Sequence, residues 1–161
     1  MQDFVHLHVH TQYSLLDGQA SVARLVDKAM KNGMKGIAVT DHGNMFGIKE
    51  FTNYVNKKNS GPKGEVKDLK KRIAGIEAGT IECEDKEAEI AACKAKIVEA
   101  ENKLFKPIIG CEMYVARRTM DLKEGKPDQS GYHLIVLAKN ETGYHNLIKL
   151  VSHAWTRGYY M

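Results

Sequence analysis

The chain has 161 residues, enough for one domain with a sizeable core and too few for a large multidomain enzyme or a closed (β/α)8 barrel of about 250 residues. Hydrophobic residues make up 43% and charged residues 27%, a balance that excludes a disordered or collagen-like chain, and the mild net charge of +4 decides little about partners. No apolar run approaches the roughly 20 residues of a membrane span, and Met1 leads into Gln2-Asp3-Phe4 without a basic and then apolar leader, so no membrane role and a cytoplasmic location are expected.

Residues 4 to 10, Phe-Val-His-Leu-His-Val-His, alternate strictly, which predicts a strand with Val5, Leu7 and Val9 on one face and His6, His8 and His10 on the other. From Ala20 the period changes. Val22, Leu25, Val26, Ala29 and Met30 define an amphipathic helix with Ser21 as its N-cap and Gly33 as its stop. Gly36 to Thr40 reads as a short buried strand ending in the turn Asp41-His42-Gly43-Asn44, and a second helix follows through Ile48, Phe51 and Val55. This strand–helix alternation points to a parallel sheet with crossover helices.

The composition shifts at Gly61-Pro62-Lys63-Gly64. Residues 63 to 106 hold 10 basic and 10 acidic side chains, so the segment nets zero and the remainder carries the whole +4. Val66, Leu69, Ile73 and Ile76 form one apolar stripe and Ile90, Cys93, Ile97 and Leu104 a second, which predicts a solvated helical hairpin turning near 79–85 and inserted in a domain of residues 1–161. Ile108 to Val115 then reads as a strand carrying one acid, Glu112, and Tyr132 to Ala138 as a further strand. A last helix, capped by Thr142, places Tyr144, Leu147, Ile148, Val151, Ala154 and Trp155 on one face.

Three cysteines, Cys83, Cys93 and Cys111, at wide spacings indicate neither a disulfide framework nor a cysteine zinc site, and Cys111 reads as a small core residue. Gly43, Gly47 and Gly110 form no phosphate-binding loop, and no nucleic-acid-binding motif is present. The histidines stand out. Same-face strand residues lie about 6.5 to 7 Å apart, within reach of one metal or a close pair, and imidazole suits zinc, iron and manganese. Thr40-Asp41-His42-Gly43 sits at the end of a strand, where sites gather in parallel α/β folds. Glu112, an acid in an apolar strand, calls for a cationic partner and is a further candidate ligand. Asp41 could ligate directly or orient a histidine from behind. His6 lies toward the wrong end of its strand, His133 opens a strand instead of ending one, and His145 and His153 fall on a polar helix face.

Leu7-His8-Val9-His10-Thr11, Tyr13-Ser14-Leu15-Leu16-Asp17-Gly18 and Val39-Thr40-Asp41-His42-Gly43-Asn44 resemble the opening motifs of the PHP (polymerase and histidinol phosphatase) superfamily. Together with residues 106–112 and 132–140 they are similar, more narrowly, to the N-terminal PHP domains of bacterial DNA polymerase III alpha subunits. The resemblance implies an α/β fold: part of a distorted (β/α)7 barrel, with the charged helical hairpin as an insertion. It implies divalent metal ions (Zn, Mn, Fe or Mg) held by His8, His10, Asp17, His42, Glu112 and His133, with His8, His10, His42 and Glu112 the catalytic set and Asp41 behind them. The implied chemistry is phosphoester hydrolysis of a 3′–5′ exonuclease type. The implied partners are DNA, through a parent polymerase active in replication, and other replicase subunits such as a proofreading exonuclease. A non-catalytic scaffold for polymerase stability or exonuclease docking, and a stand-alone PHP phosphoesterase, are the alternatives. The later motifs of the superfamily and the polymerase palm lie outside these 161 residues, so an incomplete metal site and no polymerisation are expected of this segment.

Overall fold

A computed structural model describes residues 4–160. Helices Val22–Lys31 (α1), Ile48–Lys58 (α2), Ser60–Glu77 (α3), Lys86–Asn102 (α4) and Glu141–Thr156 (α5) accompany strands Gly36–Val39 (β1), Lys106–Val115 (β2) and Tyr132–Leu137 (β3). The fold is thus mixed α/β with a small sheet, ordered β1-β2-β3. No helix among the described residues is long and apolar enough to cross a membrane. The chain divides into two compact units, one of residues up to Tyr54 together with those from Lys106 onward, the other Val55–Phe105.

In the first unit β1 is buried along its whole length and pairs in parallel with β2, Gly36 opposite Lys106 and Val39 opposite Ile109. α1 begins where the Ser21 side chain accepts from the Arg24 N–H and buries Val22, Val26 and Ala29, the face that the sequence spacing defines. β3 runs antiparallel to β2, with Glu112 opposite Ile135 and Tyr114 opposite His133, so the sheet is not wholly parallel. Beneath that ladder Cys111, Leu147 and Val151 form a buried cluster with Met45, Met113 and Val136.

Three further expectations are corrected. Residues 4 to 10 form no ladder strand. The Ala38 N–H donates to His6 O and the Thr40 N–H to Val9 O, so two steps along β1 are matched by three along this segment. The extra residue bulges, and Leu7 is left about half exposed instead of packed. Second, α5 starts from Asn140, whose extended backbone lets its side chain accept from the Gly143 N–H at 2.9 Å; Thr142 already lies inside the helix. Third, of the face expected for α5, Leu147 and Val151 are buried, whereas Ile148 and Trp155 remain exposed.

The second unit is helical, and α3 and α4 pack on each other with 78–85 as their link. Pro62 lies in the first turn of α3, where a missing N–H costs nothing. Asp85 caps α4 by accepting from the Ala88 N–H. Ile76, Cys93, Ile97 and Ala100 are buried, and Arg72 with Glu89 makes an exposed ion pair at 2.8 Å. Asn59 is buried, and its side chain donates to Phe105 O at 2.8 Å while accepting from the Phe105 N–H at 2.9 Å.

Candidate metal centre

The centre forms where three stretches of backbone meet beyond the end of β1. After Val39 the chain stays beside β2: the Glu112 N–H donates to Asp41 O at 3.1 Å and the Gly43 N–H to Glu112 O at 2.8 Å, placing His42 opposite Glu112. On the other side the Val9 N–H donates to Thr40 Oγ1 and the Thr40 N–H to Val9 O, both at 2.9 Å, which brings His8 and His10 to the same place. β3 supplies the third stretch. Because it is antiparallel, its first residues lie beside the last of β2, and a histidine that opens a strand reaches a site at a strand end.

Glu112, 3% exposed, is the hub. Its Oε2 lies 2.8 Å from His8 Nε2, 2.6 Å from His10 Nε2 and 3.5 Å from His42 Nδ1; its Oε1 lies 2.5 Å from His133 Nδ1. Asp17 Oδ2 is 2.7 Å from His42 Nε2. Burial alone would raise the Glu112 carboxyl pKa, but hydrogen bonds from His8, His133 and His10 outweigh it and hold the value at about 2. The group is therefore an anion at neutral pH.

The donor set suits divalent cations. His8, His10 and Glu112, then His10, Asp17 and His42, then His42, Glu112 and His133 each bring three ligand atoms within 4.8 Å of one another. His8 Nε2 and His10 Nε2 lie only 3.0 Å apart, each beside the same carboxylate oxygen. Adjacent ligands of an octahedral ion bound at about 2.1 Å are separated by about 3 Å, so this triangle has the dimensions of a coordination face. His10 Nδ1 is buried with no hydrogen-bond partner. Donating Nε2–H to Glu112 therefore leaves a buried acceptor unsatisfied on that ring. Moving the proton to Nδ1 would aim a lone pair at a carboxylate, an arrangement that a cation relieves.

Asp41 does different work from the role considered for it. It is 1% exposed and touches no imidazole through its carboxylate; Oδ1 accepts from the Thr11 N–H and the Ser14 hydroxyl, both at 2.7 Å, and Oδ2 from the Thr11 hydroxyl at 2.9 Å. It thus clamps the 11–18 turn that carries Asp17. The turn is tight: a Cβ on Gly18 would lie 1.7 Å from Thr11 O, so only glycine fits. The Ser14 hydroxyl in addition accepts from the His42 N–H at 3.1 Å.

His6 is exposed and meets Phe4 edge to face, apart from the cluster. His145 is exposed with Glu141 3.9 Å away, and His153 is exposed on α5. Tyr114 escapes sequence reasoning. Its hydroxyl lies 3.2 Å from His42 Nδ1, and its ring stacks on that imidazole at 5.7 Å and meets His133 edge to face at 4.9 Å. Partial burial and the nearby Glu112 charge push its phenol pKa up. The alternation Glu112-Met113-Tyr114 puts it on the carboxylate's face, the signal that could have found it.

The PHP domain family matches residues 6–97 and 89–161. DNA polymerase III subunit alpha of Borreliella burgdorferi is 40% identical over 160 residues, 98% of this chain and 10% of that protein. The subunit of Treponema pallidum is 40% identical over 158 residues, with the same shares covered, and that of Aquifex aeolicus 32% over 165 residues, 99% of this chain and 10% of its own length. The chain spans about a tenth of the length of these relatives.

Proposed function

This chain belongs to the PHP domain family, and from that membership we propose that it is a divalent-metal-binding phosphoesterase module of a replicative DNA polymerase III alpha subunit, with 3′–5′ exonuclease-like action on DNA. One observation carries the reading: a buried carboxylate with three imidazole nitrogens within 2.8 Å, on a chain whose relatives bear that name. His8, His10, Asp17, His42, Glu112 and His133 would hold the ions, whether zinc, manganese, iron or magnesium. Bound there, divalent ions would acidify a water and offset charge on phosphate oxygens.

The protein's own groups have distinct tasks in this reading. Glu112 turns Oε2 toward His8 and His10 and Oε1 toward His133, a disposition suited to bridging two positions. Asp17 meets His42 at Nε2 and Tyr114 meets it at Nδ1, which together fix the plane of that ring. The sheet β1-β2-β3 would be the opening part of a distorted (β/α)7 barrel, residues 63–106 its insertion, and the parent's partners DNA and the other replicase subunits, a proofreading exonuclease among them.

Metal content per chain, measured by elemental mass spectrometry, and hydrolysis of bis(p-nitrophenyl) phosphate test this. The wild type should carry at least one divalent ion, and His8→Ala/His10→Ala and Glu112→Gln should lose it together with hydrolysis. Unchanged hydrolysis in the double variant would overturn the assignment. Bound metal without hydrolysis in the wild type would turn the cluster into a structural centre.

A further inference from the structure

His42 and His133 also line a cleft of about 540 Å³ that none of these roles uses. Its other walls include Met113, Tyr114, Met120, Trp155, Tyr159 and Tyr160, with the polar groups of Gln129 and Ser130 beside them. That volume is in the range of small-molecule sites. Trp155 and Tyr159 are 52% and 57% exposed. Trp155 is tied to the site by a hydrogen bond: its Nε1–H donates at 2.7 Å to the carbonyl of Gly43, the residue next to His42. Tyr159 stacks on the indole at 6.0 Å with 12° between planes, and Phe46 flanks it at 6.4 Å. Tyr114, parallel to the His42 ring within 8°, faces the same cleft. Asp128, the acid in the lining of the cleft, is paired with Arg118, which offsets its repulsion toward an anionic ligand.

We propose that this cleft is a stacking subsite for a nucleobase, which seats the ring of a substrate whose phosphoester lies at the histidine–carboxylate cluster. Flat, anchored, half-exposed rings select a planar group over an alkyl or peptide chain, and Gln129 and Ser130 supply donors and acceptors for its edge. Continuity with a centre built for phosphate makes that planar group a base instead of a free arene. The proposal rests on the phosphoesterase reading for the position of the phosphate, and on the aromatic wall alone for the base.

Trp155 is the only tryptophan, so its fluorescence reports the subsite directly. The full chain is titrated with adenosine, adenosine 5′-monophosphate (AMP) and ribose 5-phosphate, and AMP affinity is measured in parallel by calorimetry. Adenosine and AMP should quench saturably and ribose 5-phosphate should not. Trp155→Ala should weaken AMP binding by about fivefold to a hundredfold, the range for loss of one base stack, while Trp155→Phe stays within about threefold. Because Trp155→Ala also frees Gly43 O, Tyr159→Ala, which alters an exposed ring outside the core, serves as the second variant and should weaken AMP at least threefold. Equal binding of AMP and ribose 5-phosphate, or AMP affinity unchanged in both alanine variants, would overturn the subsite. His8→Ala/His10→Ala separates the two readings: adenosine should bind it normally while AMP loses its advantage over adenosine. Adenosine binding with no advantage for AMP in the wild type would keep the stacking subsite and remove the phosphate centre.

Discussion

Replacing Asp41 by alanine removes one acceptor group from three donors at once. The Thr11 N–H, the Thr11 hydroxyl and the Ser14 hydroxyl all end on this carboxylate between 2.7 and 2.9 Å, and Thr11 and Ser14 are 0% and 2% exposed, so water does not replace the lost partner without opening the turn. Each buried donor left unsatisfied costs about 1–3 kcal/mol, and because the three share one acceptor the losses do not add in full, giving about 3–5 kcal/mol for Asp41→Ala. Asp41→Asn is the internal control. With its oxygen at the Oδ1 position it still accepts from the Thr11 N–H and the Ser14 hydroxyl and loses chiefly the charge assistance and the Oδ2 bond, a cost of about 1–2 kcal/mol. Urea unfolding followed by circular dichroism gives both numbers from the midpoints at constant slope. A loss below about 1 kcal/mol for Asp41→Ala, or equal losses for the two variants, would refute the claim that this carboxylate holds the 11–18 turn.

Two further outcomes are open to direct measurement. Asn59→Ala strips both hydrogen bonds from the buried Phe105 backbone, so thermal unfolding should show a loss of about 2–4 kcal/mol and the Phe105 amide should exchange faster with solvent; unchanged protection of that amide would contradict the assignment. Burial, reinforced by the Asp41 charge, pushes the Cys111 thiol up to about 12, and Cys93 is buried while Cys83 is not. Iodoacetamide at pH 8 should therefore label Cys83 in the folded protein and the other two only after unfolding, as peptide mass mapping would show.

Much of the architecture around the site is written in periodicity. The spacing of Val22, Val26 and Ala29, the Ser21 cap and the unbroken apolar run of β1 depend on neighbours along the chain, and sequence reads such neighbours well. What it does not carry is pairing. Alternation in residues 4 to 10 looks the same whether or not an extra residue bulges against β1, and that bulge is what leaves Leu7 exposed. The direction of β3 is equally hidden, since the stretch 116–131 could return beside β2 or cross over. Spacing alone therefore puts His133 at an awkward strand end, while an antiparallel β3 sets it 2.5 Å from Glu112. His8, His10, His42 and Glu112 were legible because each is a polar side chain where the local pattern calls for an apolar one or ends. Tyr114 was not, because tyrosine fits a strand on any face. At α5 two cap-forming residues stand two apart, and backbone geometry, not composition, chose Asn140 over Thr142.

The two buried carboxylates of the centre show why residue type alone does not assign a role. Asp41 and Glu112 are 1% and 3% exposed, and both lie on the same short stretch of paired backbone. A carboxylate offers about four acceptor positions. Asp41 fills three of them with an amide and two hydroxyls, groups that stay neutral throughout the ordinary pH range and have nothing else buried to bind. Its role is closed: it sets the shape of the 11–18 turn. The partners of Glu112 are imidazoles, each able to turn a lone pair instead of a proton toward the shared space, so the same contacts can be exchanged for contacts to a cation without moving the backbone. Loss of Asp41 should therefore appear first in stability and only through it in metal content, whereas Glu112→Gln, which keeps the volume and one acceptor oxygen, should appear first in metal content. The order of those two effects, measured on the two variants side by side, separates the residue that builds the site from the residue that works in it.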